Sequence, residues 1–236
     1  MTARSAVRRM RPSPSPSNAD REVEALVRHL IAADFPDDGI IGEEDAQKPG
    51  STEFTWVIDP IDGTMPFLSG LPHWCVAIAL VERNRTVAAA TFAPVSDELF
   101  DARFEGGFRC NGTRQAVSAT LGLTGAMTAI GASHRTAVET VSVTLSRLMD
   151  AGGIFYRNGS GAIMLAEVAA GRLAGYFDPH MNAWDCLGGL LMVEEAGGCV
   201  EAFEMDAMLS EGGRVLAAAP RAFAPLAHIC SVKWDP

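Results

Sequence analysis

The sequence predicts a fold in two halves: an α+β first half on an antiparallel sheet and an α/β second half on a mainly parallel one. Three observations carry this. Strand-like runs follow one another through residues 74–110 with only short polar turns between them, the pattern of a meander. From Ala126 onward, strand and helix patterns alternate, as in parallel sheets joined by crossovers. The chain has 236 residues, 48% of them hydrophobic and only 7% aromatic. That is enough for one large core or two modest ones, rich in Ala and Gly and suited to helices packed closely on sheets.

Residues 1–17 carry Arg4, Arg8, Arg9 and Arg11 and then Pro12-Ser13-Pro14-Ser15-Pro16-Ser17. Such a segment has no apolar face to bury and is expected to be extended or disordered. Val23, Leu26, Val27, Leu30 and Ile31 then recur at helical spacing and predict an amphipathic helix over Glu22–Ala33, ended by Phe35-Pro36-Asp37-Asp38-Gly39. Ile40-Ile41 is a short strand running into Gly42-Glu43-Glu44. A polar loop covers 45–53, and Phe54–Ile58 is the next strand. Trp74–Val81, Val87–Phe92, Glu98–Phe100 and Arg103–Cys110 continue the sheet, with Cys110-Asn111-Gly112-Thr113 as a hairpin turn.

The second half alternates: strand Ala126–Gly131, helix Thr136–Ala151, strand Ile154–Arg157, helix Gly159–Ala170 ending at Gly171, strand Leu173–Phe177. The helix Trp184–Ala196 is stopped by Gly197-Gly198, and Cys199–Phe203 and Val215–Ala219 complete the strands. The boundary falls near Leu121–Gly125, giving expected domains of 18–122 and 123–236.

Composition excludes several functions. A net charge of −10 argues against nucleic acid as the principal partner, and an acidic protein that binds an anion must bring cations to its site. The five cysteines are scattered, with no Cys-x-x-Cys, as in a reduced cytoplasmic chain rather than a disulfide framework or zinc site. The histidines lack ligand spacing. No apolar run is long enough for a membrane span, and the basic residues 1–11 are followed by no apolar signal core.

The most informative run is Trp56-Val57-Ile58-Asp59-Pro60-Ile61-Asp62-Gly63-Thr64. An apolar strand delivers one aspartate, a proline-initiated turn delivers a second, and Gly-Thr opens a helix. Carboxylates fixed beside backbone N–H groups can hold hard divalent cations against a phosphate, although Asp beside Pro and Gly also caps turns. Glu43 follows a short strand and a glycine, where a solvated loop acid is the plainer alternative. Asp185 and Asp20 each sit at a helix start, where an N-cap is the plainer alternative. Thr64 is either a capping hydroxyl or a group that orients water.

Together these residues resemble the inositol monophosphatase family of magnesium-dependent, lithium-sensitive phosphatases. One signature stands as Asp59-Pro60-Ile61-Asp62-Gly63-Thr64 with Phe67. The second stands as Trp184-Asp185 leading to Glu195-Ala196-Gly197-Gly198, and Gly42-Glu43-Glu44 matches the upstream acidic pair. The resemblance implies a layered αβαβα sandwich and a homodimer. It also implies hydrolysis of a small polyol or sugar-like phosphate of the inositol-1-phosphate type, by metal-activated water and without a phosphoenzyme. Histidinol phosphate, fructose 1,6-bisphosphate and 3′-phosphoadenosine 5′-phosphate are the alternative substrates, and a non-catalytic relative that binds metal and sugar phosphate is the alternative of another class.

The resemblance also assigns roles. Glu43, Asp59 and the Ile61 carbonyl would hold one Mg²⁺, and Asp59, Asp62 and Asp185 a second, with Glu43 reaching a third through water. Backbone N–H groups of Gly63 and Thr64 would meet the phosphate, and the Thr64 hydroxyl paired with Asp20 would orient and deprotonate the attacking water. Asp178 would accept a substrate hydroxyl, Ser160 would line the alcohol pocket, and Arg157 is the cation nearest these motifs. The chain departs from the family in having Pro66 where Asn is usual, and in placing only the Arg/Ser/Pro segment before Asp20 where relatives carry a helix and hairpin. Asp20 is therefore expected on a flexible lead-in, with apolar surface exposed beside Glu22–Ala33.

Overall fold

The structure, a computed structural model, describes residues 16–132 and 136–231. In the first half, helix α1 (Pro16–Asp34) precedes strands β1 (Gly39–Gly42) and β2 (Phe54–Asp62), the short helix α2 (Thr64–Leu68), and strands β3 (Cys75–Glu82), β4 (Arg85–Ala93), β5 (Glu98–Arg103), β6 (Gly107–Cys110) and β7 (Thr113–Arg114). These strands form a seven-stranded sheet in sequence order, with β1 parallel to β2 and the remaining pairs antiparallel.

In the second half, β8 (Met127–Ile130), α3 (Val138–Asp150), β9 (Ile154–Tyr156), α4 (Gly161–Ala169), β10 (Gly175–Met181), α5 (Ala183–Glu195), β11 (Cys199–Val200), α6 (Met205–Glu211), β12 (Gly213–Ala218) and α7 (Pro220–Ser231) follow. The sheet order is β11-β12-β10-β8-β9. β8 runs parallel to β9 and β10, and β12 antiparallel to β10 and β11, so the second sheet is mixed.

The layers follow from what each helix touches. α1 packs through Val27 and Ile31 against Ile40, Ile58 and Trp56 on the outer face of the first sheet. α4 and α5 lie between the sheets, where residues such as Val57, Phe100, Leu165, Leu187 and Val215 share one core. α3 and α7 cover the far face of the second sheet around Leu148, Phe177, Leu216 and Leu226. This is the expected αβαβα sandwich. α4 and α5 approach closely because Gly189 carries no side chain: a Cβ there would stand 2.5 Å from the Leu165 Cβ.

Several local expectations are corrected. α1 is described from Pro16 onward, so Pro16 and Ser17 belong to a helix. The expectation for residues 1–15 lies outside the described residues. Asp20 is inside α1 and 2% exposed, not on a flexible lead-in. Leu26 and Leu30, by contrast, face solvent at 58% and 59% exposure. β2 continues through the Asp-Pro-Ile-Asp run instead of ending in a turn at Ile58. The single strand expected over Arg103–Cys110 is the end of β5, a turn and β6. The sequence pattern does not predict α6 and α7.

Replacing Gly189 with Ala should destabilise the protein by about 1–3 kcal/mol in urea unfolding, despite the better helix propensity of Ala, because the close helix contact must open. Gly122, which has nothing within 4 Å of the place a methyl would take, should tolerate the same change within about 0.5 kcal/mol.

Candidate active site

Carboxylates reach one place from three elements. In a regular strand, residues three apart face opposite sides, and Asp59 and Asp62 would diverge. A register slip prevents this: Asp59 pairs with Ala77 and Asp62 with Cys75, three residues against two. The extra residue of the bulge brings both carboxyls together, and Pro60, which has no N–H for the ladder, is tolerated there. The Ile61 N–H donates to Asp59 Oδ1 at 3.0 Å, and the Thr64 hydroxyl donates to the Ile61 carbonyl at 3.1 Å. Gly63, at φ 91°, turns the chain into α2, and a side chain there would meet the His73 carbonyl at 2.6 Å.

Asp62 is anchored by the second half of the chain. Its Oδ2 accepts the Ala162 N–H at 2.7 Å and the Ser160 hydroxyl, and its Oδ1 accepts the Gly161 N–H at 3.3 Å. These donors are the first turn of α4, where negative charge is favoured. Asp185 belongs to α5 and is its third residue rather than its cap. Asn182 is the N-cap, and Asp185 Oδ2 accepts the Asn182 N–H at 3.0 Å and side-chain amide at 3.2 Å, a capping box.

One carboxylate oxygen each from Asp59, Asp62 and Asp185 lies within 4.8 Å of the others. This crowding raises the proton affinity of Asp59 and Asp62. Burial first, then Asp62, Asp185 and Glu43, hold Asp59 well above the ordinary carboxylate range. Burial and Asp185 push Asp62 up to about 7, against the Ser160 hydroxyl and the Ala162 and Gly161 N–H groups, which favour its charged form. Glu43, at the rim past β1, is exposed as a residue, but its carboxyl faces the cleft. Loss of water and the acids Asp185, Glu44, Asp62 and Asp20 push it up to about 8. Among the described residues, the ion pairs leave Asp59 and Asp62 out. A purely oxygen donor set of crowded, mutually repelling acids, Asp59 and Asp62 buried and Asp185 half-buried, fits a hard divalent cation.

The cluster opens on a cleft of about 270 Å³. Asp178, on β10, lines it and accepts the Tyr176 hydroxyl at 3.1 Å and the His180 N–H at 3.0 Å; burial is the main reason its pKa is raised. Gly131 faces it so closely that a Cβ would stand 1.9 Å from Asp178 Oδ2. Arg157 is exposed, donates to the Ala132 carbonyl at 2.9 Å, and borders both this cleft and a neighbouring one that contains Gly63 and Thr64.

The trio is the set assigned to one ion, and Glu43, assigned with Asp59 and the Ile61 carbonyl to another, lies outside it. Two other arrangements, the Asp20–Thr64 pair and the place of Ser160, differ from those the resemblance suggests. No hydrogen bond links Asp20 to Thr64: the Thr64 hydroxyl donates to Ile61, and Asp20 Oδ1 is buried with no hydrogen-bond partner. Ser160 does not line the cleft. It is fully buried, caps α4 by accepting the Ile163 N–H at 3.2 Å, and donates a hydrogen bond from its hydroxyl to Asp62. That role is readable as an N-cap serine ahead of an apolar helix. Sequence reasoning also misses Tyr176; its signal is its place two residues before Asp178, on the same face of a strand.

Comparisons with known proteins bear on the family and the fold. The family model described as "Inositol monophosphatase family" matches residues 15–233. An inositol-1-monophosphatase of Rhizobium meliloti is 37% identical over 185 residues, 77% of this chain and 70% of that protein. A protein of Haemophilus influenzae named Nus factor SuhB is 35% identical over 208 residues, 87% of this chain and 78% of that one. Among solved structures, the extragenic suppressor protein suhB from Bartonella henselae superposes with a TM-score of 0.84 at 30% identity, covering 91% of this chain and 84% of that chain.

The charge crowding predicts a pH signature for the metal-free protein. Glu43 has a folded pKa of about 8 against an ordinary 4.5. Its contribution is therefore favourable below the ordinary value and is lost as pH rises through the folded one. In EDTA, Glu43→Gln should melt with wild type at about pH 4.5 and progressively above it toward about pH 8. A Tm difference that stays constant across this window would contradict the crowding.

Proposed function

The chain belongs to the inositol monophosphatase family, and from that premise we propose that it is a Mg²⁺-dependent phosphomonoesterase acting on a small polyol or sugar-like phosphate of the inositol-1-phosphate type. The observation that carries this reading is the gathering of Asp59, Asp62 and Asp185 from both halves of the chain beside a small polar cleft. In this reading the three aspartates, with Glu43 and the Ile61 carbonyl, hold the Mg²⁺. When bound, Mg²⁺ neutralises phosphate charge, activates water and stabilises the departing oxygen.

The chain's own groups do the rest. Thr64 orients the attacking water and Asp20, whose buried Oδ1 has no partner, takes its proton once the threonine hydroxyl turns from Ile61. The N–H groups of Gly63 and Thr64 meet the phosphate. Asp178 has lone pairs left beyond those facing Tyr176 and His180, and accepts a hydroxyl of the alcohol. No side chain attacks phosphorus, so attack is direct and in line.

Substrate size and charge favour a polyol monophosphate. A cleft of about 270 Å³ suits a small molecule. Arg157 is the one Lys or Arg among its described lining residues, which disfavours bisphosphates such as fructose 1,6-bisphosphate or 3′-phosphoadenosine 5′-phosphate. Histidinol phosphate remains the runner-up, because Asp178 serves an ammonium as well as a hydroxyl. The expected homodimer is supported by Met65, Leu71 and Phe155, apolar and exposed along the neighbouring cleft. A cytoplasmic location accords with a chain in which no described helix is long and apolar enough to cross a membrane.

Purified protein should release phosphate from inositol 1-phosphate with Mg²⁺, and faster than from histidinol phosphate. It should fall silent in EDTA and be inhibited by Li⁺. Asp59→Asn should lose more activity than Asp62→Asn, because Asp59 is assigned to both metals. A protein that releases phosphate from no ester of such a panel would favour the binding-only reading, and full activity of Asp59→Asn would sink the site assignment.

A further inference from the structure

We infer that Glu24, a residue of α1 outside the acid cluster, is the positioning residue that sets Glu43 at the rim of the site. This rests on the metal-binding role proposed for Glu43. Glu24 follows Asp20 by one helical turn, so both acids project from the same face of α1. Its side chain is fully buried. Oε2 accepts the Glu44 N–H at 2.9 Å, and Oε1 accepts the Asp45 N–H at 3.2 Å and Arg28 Nε at 2.7 Å. Arg28 closes the ring by donating from Nη2 to the Asp45 carbonyl at 3.1 Å.

Glu43 therefore sits just before two residues whose amides are both fixed by one buried carboxylate. On its other side, Gly42 is held in register with Ile58 of β2. Gly42 is there for the same reason: a Cβ would stand 2.1 Å from Glu24 Oε1 and 2.4 Å from its Cδ. The chain wraps around the Glu24 carboxyl, and only a glycine permits the approach. The other ties between this segment and α1 are weaker. Arg21, largely exposed, stands 3.5 Å from Glu44, and the Arg28 bond to the Asp45 carbonyl depends on Glu24 to aim the guanidinium. Hydrogen bonds to an ionised carboxylate are strong and directional, whereas exposed ion pairs hold little. Arg28 balances the Glu24 charge locally, so Glu24 supports the site without joining the acid cluster.

Groups that orient metal ligands from behind typically change metal affinity about 10–100-fold when altered. The test uses the full chain and Mg²⁺ alone, read by isothermal titration calorimetry without substrate, alongside Tm in EDTA. Glu24→Gln, which replaces one acceptor oxygen with a donor, should weaken Mg²⁺ binding by about 10-fold or more. Asp38→Asn is the comparison: Asp38 is buried on the same sheet edge and bonded to Thr52 and Trp56. Because its carboxyl bonds Thr52 and Trp56 and not the Glu43 loop, it should lower Tm and leave Mg²⁺ affinity within about 2-fold of wild type.

Unchanged affinity in Glu24→Gln, or an equal loss in Asp38→Asn, would overturn the inference. If Glu24→Gln does not fold, hydrogen exchange on wild type decides. The Glu44 and Asp45 amides should be protected although they lie in a loop, and rapid exchange at both would overturn it. A wild-type protein that takes up no Mg²⁺ would contradict the metal-site reading and the inference with it, whereas wild-type binding with an unaffected Glu24→Gln would contradict the inference alone.

Discussion

Like charge held in too little space is the constraint on which the rest of this structure depends. Asp59, Asp62 and Asp185 place carboxylate oxygens within 4.8 Å of one another in a largely buried setting. Left alone, such a group would separate or take up protons. Here the backbone opposes separation: the Ile61 N–H on Asp59, the start of α4 on Asp62, and the capping box of α5 on Asp185. Each restraint aims a donor at a carboxylate while leaving the cluster short of positive charge. A cation would satisfy that shortage, and for this reason a set of acids in which Asp59 and Asp62 are held well above the ordinary carboxylate range is better understood as a candidate binding site than as a poorly packed core.

The layers serve this arrangement. α4 and α5 are wedged between the sheets, and their N-termini are where the two halves of the chain meet at the site. The contact between Asp62 and Ala162 spans 100 residues of sequence, so the cluster exists only when both sheets have closed on the same pair of helices. α1 adds a third support from the outer face, carrying Asp20 and Glu24 on its buried side and fixing the loop after β1. Function and tertiary packing are in this sense the same set of contacts.

Much of this is legible in the sequence, and the failures have physical causes. Strand and helix periodicity places most elements, because β3 alternates cleanly between buried and half-buried residues and α3 and α5 are followed closely by glycines. The acids are legible from their motif, yet the bulge that unites Asp59 and Asp62 is not, since a proline between two aspartates looks like a turn when the partner strand is unseen. α7 is hidden by Pro225, which costs a backbone donor inside a helix; Ala222, Leu226 and Ile229 buried against the second sheet keep the helix in place. The helical placing of Pro16 and Ser17 is hidden by a Pro-Ser repeat that resembles disorder. Ser160 can be read as the cap of α4, but its bond to Asp62 cannot, and neither can the Glu24 bonds to the Glu44 and Asp45 amides; only three-dimensional contact reveals these.

The central claim, that these carboxylates are crowded in order to hold a metal, is tested most directly by diffraction from crystals grown with Mn²⁺ in place of Mg²⁺. An anomalous difference peak among the carboxylates of Asp59, Asp62 and Asp185, with Asp62 still anchored to the start of α4, is the result the account predicts. Crystals that show no such peak at saturating Mn²⁺, or one in which Asp185 has turned away from Asp59, would contradict it.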